Sequence, residues 1–295
     1  MSNDFNNQFS SNRNQFSVTD SRSVRSLAAI TGASDGLGKE FAYQLAADGY
    51  DLLIIARRGE ILEEIKKDIE TKYGVFVEAY VCDLSNAAEV KQLEQRLETS
   101  ESLEFMVNNA GFGRSGMFPD VDPDHEETMI RVHTISLMRL SRAALTPMCR
   151  RRKGFLINLA SVAAFLYGNN TAEYIATKAY VLAFSKCIQC DVKKYGVRVQ
   201  ALCPGLTHTG FHSTESMKFF RKDKTPRILW LAAEYVVCIS LRSIRKTRRV
   251  VCIPSLRYKL ILALLCNPIS NKISEIIYNK RVRNETTKDR VRPLE

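Results

Sequence analysis

The stretch Leu27-Ala28-Ala29-Ile30-Thr31-Gly32-Ala33-Ser34-Asp35-Gly36-Leu37-Gly38 decides the fold. Leu27 to Thr31 reads as a strand, followed by a glycine-rich turn and a helix through Phe41, Leu45 and Ala46. Gly32 lets the chain turn tightly off the strand, Gly36 removes a side chain where a phosphate would approach, and Gly38 lets the helix pack close. The helix start offers free N–H groups and the positive end of its dipole. The spacing is GxxxGxG rather than GxGxxG, and a glycine-rich turn alone is a weak signal. Its place directly between a strand and a helix is what makes it read as a phosphate cradle.

Working outward, short apolar runs alternate with helical patterns. Leu52 to Ala56, Val75 to Cys82, Leu103 to Val107, Phe155 to Leu159 and Val197 to Leu202 read as further strands, with Arg249 to Ile253 as a seventh. Helices are expected from Glu60 to Tyr73, Ala87 to Leu97, Glu126 to Arg150 and Ala172 to Tyr195. The strand runs are continuously apolar, as parallel strands covered on both faces must be. The repeating order predicts an α/β, doubly wound parallel sheet of about seven strands with helices on both faces. A polar leader over 1–22, one domain over 23–284 with a substrate lid near 206–245, and a basic tail over 285–295 complete the expected layout.

The chain has 295 residues, 45% hydrophobic and 25% charged, enough apolar material for a core without metal or disulfide staples. Cys187 and Cys190 have CxxC spacing, but no second pair follows at zinc spacing. They read as core residues, and no metal is expected. The formal net charge is +11, and the 14 Lys/Arg against 3 acids between Leu241 and Arg292 account for all of it. That tail reads as a solvated basic face, or as a contact for anionic headgroups or a phosphate-bearing acyl carrier. Nucleic acid is disfavoured, because aromatic platforms are not interleaved with the cations. No apolar leader opens the chain, and Leu260 to Cys266 falls far short of the ~20 residues a membrane span needs. A cytoplasmic location, in part peripheral to a membrane, is the expectation.

Arg57 and Arg58 follow the second strand, where an acid would suit the ribose of NAD and arginine suits a 2′-phosphate; NADP(H) is therefore favoured over NAD(H). Asp83 either reaches an adenine amino group or caps the next helix. In Asn108-Asn109-Ala110-Gly111, the small residues leave room for an adenosine half and the asparagines can tie strand ends together. Tyr174 and Lys178 share a helix face at i, i+4, and an ammonium group beside a phenol favours the phenolate. Ser161, just past the fifth strand, is placed to hydrogen-bond a carbonyl oxygen.

As a set, Thr31 to Gly38, Asp83, Asn108 to Gly111, Ser161, Tyr174/Lys178 and Pro204-Gly205 resemble the short-chain dehydrogenase/reductase family, in its order and spacing from Ala29 to Thr209. The resemblance implies a Rossmann fold and an oxidoreductase of the 3-oxoacyl or hydroxysteroid reductase type, commonly a homo-oligomer. Tyr174 would be the general acid or base and Ser161 would orient the substrate oxygen. Lys178 would hold the nicotinamide ribose and lower the Tyr174 pKa. Gly32, Ser34, Asp35, Gly36, Leu37 and Gly38, then Arg57, Arg58, Asp83, Leu84, Asn109, Ala110 and Gly111, and finally Pro204, Gly205, Thr207 and Thr209 would line the cofactor.

His133 stands where the family usually carries an asparagine that supports a water relay to the lysine. It reads equally as an altered relay or as a satisfied helix histidine. Beyond Pro204, His208, Phe211, His212, Met217, Phe219 and Phe220 give the specificity region a mixed character, and Ile228 to Ile239 looks like an amphipathic helix before the basic run. The expected activity is reduction of a lipophilic ketone to an alcohol, or its reverse. The alternative, supported only by His133, is a dinucleotide-binding regulator with little catalysis.

Overall fold

The computed structural model describes residues 25–114, 116–166, 171–213, 217 and 225–265; the side chains of 212 and 213 are not included. The expected leader and the tail over 285–295 lie outside them, as do Phe219, Phe220 and Cys266.

Seven parallel strands form one sheet: β1 (Leu27–Thr31), β2 (Asp51–Ala56), β3 (Val77–Val81), β4 (Leu103–Asn108), β5 (Phe155–Leu159), β6 (Arg198–Leu202) and β7 (Val251–Cys252). Their order is β3-β2-β1-β4-β5-β6-β7. The winding direction reverses between β1 and β4, which opens a crevice at the carboxyl ends of the central strands. Every residue of β1 and of β4 is buried. Alternate side chains serve opposite faces. Ala28 and Ile30 join a core built with α1 (Gly36–Ala47), α2 (Gly59–Tyr73) and the later helix α7 (Ala233–Lys246). Ala29 points the other way, into a core that includes Leu93 of α3 (Ala87–Glu98) and Leu140 of α5 (Leu137–Arg151).

The long helix expected over Glu126 to Arg150 is interrupted. It runs as α4 (Pro123–Ile130), a π-helical segment Arg131–Ser136, and then α5. The tyrosine–lysine helix, α6, covers Ala172–Val192. The helix expected from Ile228 begins five residues later. Arg227–Leu229 form a 3-10 turn; beyond it Leu231 N–H donates to the Leu206 carbonyl (2.9 Å) and His208 N–H to the Leu231 carbonyl (2.9 Å), so the chain runs extended until α7 starts. Val236, Val237 and Leu241 of α7 lie in the sheet's core, so residues 233–245 are structural floor and not lid. β7 is shorter than the five residues expected, with only Val251 and Cys252 paired. Cys187 and Cys190 are exposed on α6, contrary to the core reading. A last helix, α8 (Leu256–Leu265), was not anticipated as an element of the site.

Candidate active site

Of the residues expected to carry catalysis or to hold the cofactor, all but Gly38 and His133 line one cavity of about 820 Å³ at the carboxyl edge of the sheet; Asn108 and His208 stand outside it. Its floor on one side is the glycine-rich turn. Gly32 has φ +67°, and a Cβ there would sit 2.8 Å from Asn109 Nδ2. A Cβ on Gly38 would stand 2.2 Å from the Gly32 carbonyl oxygen, which is why this helix start tolerates only glycine. Asn109 Nδ2 donates to the carbonyls of Thr31 (3.0 Å) and Gly32 (3.2 Å). Thr31 Oγ1 accepts from the N–H groups of Asn109 (3.0 Å) and Ala110 (3.1 Å). The strand ends are thus tied as the asparagines suggested. Asn108 serves differently: its amide lies buried, donating to Ser141 Oγ and Asn158 Oδ1, both at 2.9 Å.

Asp35 caps α1, its carboxylate accepting from Gly36 N–H (2.7 Å). Arg58 lies over the turn, with Nη2 2.8 Å and Nε 3.2 Å from Ser34 Oγ. Asp83 does not cap α3; Asn86 does. The Asp83 carboxylate accepts from Ser85 N–H (2.9 Å) and Ser85 Oγ (2.8 Å), bonds that, with the Arg57 charge, hold it below its ordinary pKa against the opposing effect of burial. Leu84 is buried, and its carbonyl accepts from Ser136 Oγ (2.6 Å).

Across the cavity, Ser161 opens a short turn after β5, its Oγ accepting from Ala163 N–H (3.1 Å). Its hydroxyl faces the Tyr174 phenol. Burial pushes that phenol's pKa up, and Ser161 pulls against the rise. Lys178 donates to the Leu159 carbonyl (2.8 Å), and its Nζ lies 5.8 Å from the centroid of the Tyr174 ring. Burial brings Lys178 down to about 8. The resemblance implied that Lys178 lowers the tyrosine; in this geometry the lowering contact is Ser161.

His133 sits in the π-helical segment and is buried. Phe112 N–H donates to its Nε2 (3.0 Å), so the ring proton is on Nδ1, which faces Thr177 Oγ1 (3.0 Å). Thr177 Oγ1 in turn donates to the Tyr174 carbonyl (3.0 Å). Burial first, and the Lys178 charge second, hold the imidazole well below its ordinary pKa. Both ring nitrogens are occupied by protein groups, and neither bonds Lys178. The imidazole, through Thr177, links the loop after β4 to the backbone of α6.

The remaining walls are largely apolar. The Phe211 ring centroid lies 5.9 Å from that of Tyr174. A Cβ on Gly113 would meet Phe211 Cζ at 2.7 Å and Met217 Sδ at 2.8 Å, so the loop after β6 closes onto the loop after β4. Thr209 reaches the cradle, where a Cβ on Gly36 would be 3.0 Å from its side chain. Pro204 carbonyl accepts from Val162 N–H (3.0 Å), and Thr207 Oγ1 donates to the Gly205 carbonyl (3.0 Å). His208 stacks on Trp230, with ring centroids 5.1 Å apart. Sequence reading missed Tyr258 of α8. Its hydroxyl accepts from Leu206 N–H (2.9 Å) and donates to the Leu229 carbonyl (2.8 Å), while its ring abuts Gly205. No local motif marks such a residue, which acts through packing between distant segments.

Comparison with known proteins agrees with this geometry. A family model described as short chain dehydrogenase matches residues 26–218. The chain is 32% identical over 186 residues to a fatty acyl-CoA reductase of Acinetobacter baylyi, covering 62% of this chain and 63% of that one. It is 32% identical over 200 residues to the very-long-chain 3-oxoacyl-CoA reductase-B of Danio rerio, covering 66% and 62%. The chain thus spans less than two thirds of the length of these relatives. Among solved structures, a short-chain dehydrogenase from Sphingobium yanoikuyae in complex with NADPH superposes with a TM-score of 0.75 at 28% identity, covering 84% of this chain and 95% of that one. With the sheet order, the tied glycine-rich turn and the Ser161–Tyr174–Lys178 cluster already in place, the family match establishes that the chain belongs to the short-chain dehydrogenase family.

Proposed function

We propose that the protein is an NADP(H)-dependent oxidoreductase that interconverts a ketone or aldehyde with its alcohol, on a lipophilic substrate of the 3-oxoacyl or steroid-like class. The observation that carries this reading is the convergence of Ser161, Tyr174 and Lys178 on one cavity, with the glycine-rich cradle on one side and Phe112, Phe211 and Met217 on the other. The residues present fit a dinucleotide: the turn has no room for side chains at Gly32 and Gly38, and the Arg58 guanidinium lies over Ser34, where a 2′-phosphate would be met by a fork of donors. The reductases acting on fatty acyl and 3-oxoacyl thioesters among the relatives support the substrate class.

A nicotinamide cofactor held by the cradle and Lys178 would supply the hydride. Tyr174 holds the proton that the carbonyl oxygen takes up, and its raised pKa keeps the phenol protonated at neutral pH. Ser161, facing that phenol, is placed to donate to the same oxygen and to steady the phenolate left behind. Lys178, anchored on the Leu159 carbonyl, is cationic at neutral pH and is placed to hold the nicotinamide ribose. Burial of the Phe211 and Met217 lid against Gly113 keeps water from the reacting atoms. His133 acts as a positioning residue, holding the Tyr174 backbone through Thr177. The regulator reading rested on His133 alone, and its bonds give that reading no support.

A homo-oligomer belongs to the same proposal, supported by the exposed Ile135, Met138 and Tyr180 on neighbouring helices. The test is a substrate panel with purified protein and both reduced cofactors. NADPH should be preferred, and 3-oxoacyl thioesters or steroid ketones should turn over. A strong preference for NADH sinks the cofactor assignment, and turnover confined to small polar sugars sinks the substrate class.

A further inference from the structure

Helix α8 has two faces of opposite use. Tyr258 and Leu262 are buried, and Tyr258 forms part of the cavity wall. On the opposite face Leu256, Leu260 and Leu264 are 70%, 58% and 71% exposed. At i, i+4 and i+8 these leucines fall within an arc of about 80°, since each residue advances about 100°. On the same helical wheel Arg257 and Lys259 flank the stripe, one on each side. Arg257 also donates to the carbonyl of Ile228, itself 64% exposed, so the turn carrying Ile228 adjoins the start of the helix. A globular surface rarely presents four large apolar side chains in one neighbourhood without a partner.

The charge around this stripe says what the partner is. Helix α8 carries Arg257 and Lys259 and no Asp or Glu, and Arg227 stands next to Ile228 in the adjoining turn. The segment 266–295, which follows α8 directly, carries 7 Lys/Arg against 4 acids, so it is not the complement of a basic rim. A second copy of α8 would likewise set like charges together. Leucines flanked by cations suit an interface whose outer layer is anionic and whose inner layer is hydrocarbon.

We propose that the outer face of α8, with Ile228, docks the protein on an anionic phospholipid bilayer. The surface deepens the lipophilic reading of the site, on which its purpose rests. The helix that lies on the bilayer is also the wall of the substrate cavity, about 10 Å across. A ketone dissolved in the membrane would thus reach Tyr174 without crossing water. No helix among the described residues is long and apolar enough to cross a membrane, so the contact is a peripheral one.

The test is flotation of the full chain with vesicles of phosphatidylcholine, alone or mixed with phosphatidylserine. Binding should require phosphatidylserine and weaken with salt. The triple variant Leu256→Gln/Leu260→Gln/Leu264→Gln should lose affinity on the order of a hundredfold. It should keep its melting temperature and its NADPH-linked turnover of a water-soluble ketone. Lys259→Gln, which disturbs no apolar contact, should weaken binding by a few fold. No binding to either vesicle overturns the proposal. So does a triple variant that binds like the parent, which would assign the contact to the cationic tail alone. A triple variant with a lowered melting temperature overturns it too, because the stripe would then be covered by the chain itself. Vesicle binding without turnover of any lipophilic ketone would sink the substrate assignment and leave the docking surface standing; turnover without vesicle binding would do the reverse.

Discussion

The two halves of the cavity are held by different means. On the cradle side the contacts are made by short side chains and by backbone: the Asn109 and Thr31 side chains lock two strand ends, and Gly38 lies against the Gly32 carbonyl. On the substrate side, Leu206, Leu229 and Gly205 are gathered by one phenol, Tyr258, and Thr207 meets Leu231 in a single bridge. The first arrangement leaves almost no latitude for change. The second can be reshaped by side-chain exchange while the sheet remains intact, as expected where loops carry specificity on a rigid frame.

Tyr174 sits at the seam between the halves and gives the largest expected effect. Tyr174→Phe should lower turnover about 100- to 10,000-fold while leaving NADPH binding, followed by fluorescence titration, nearly unchanged. Turnover close to that of the parent would show that the proton comes from another group. Gly38→Ala tests the rigidity of the cradle. Its Cβ would meet the Gly32 carbonyl oxygen at 2.2 Å, so thermal unfolding should show a loss of about 1–3 kcal/mol, and cofactor affinity should fall with it. Tyr258→Phe tests the softer half. Losing a hydroxyl that bonds both Leu206 and Leu229 should cost about 1 kcal/mol and raise KM for a lipophilic ketone, with NADPH affinity preserved. Equal losses on both sides would mean that the halves are not independent.

The smallest effect concerns His133. Its pKa is lowered in the fold, so the unfolded chain takes up a proton that the native one does not. Stability from this residue is therefore intact above 6.5 and is lost as the pH falls below that value, by up to about 1.4 kcal/mol per pH unit. Chemical denaturation at stepped pH should show this slope, and His133→Asn should flatten it.

The cradle half was also the half legible in the sequence. Glycines at fixed spacing and unbroken apolar strands are local signals, and β1 and β5 match their expected bounds. The placement of Tyr174, Lys178 and Ser161 at one cavity was legible because i, i+4 spacing and strand-end position need no tertiary knowledge. What was not legible depends on contacts between distant segments. The π-helical turn under His133 breaks the 3.6-residue period that a pattern search assumes, and such turns collect at functional sites. The start of α7 is delayed by pairing between Leu231 and Leu206, which no local propensity reports. Tyr258 lies 84 residues beyond Tyr174 and enters the cavity only because α8 folds back over Gly205.

The sheet's two borders bear on behaviour at high concentration. β7 has only two paired residues, and β3, at the other border, carries Glu78, which pairs with Arg96 at 2.7 Å. A short strand and a charged one both make poor templates for an incoming strand. Crowded molecules are therefore steered away from fibril-like stacking through their sheets, and association is left to the helical faces.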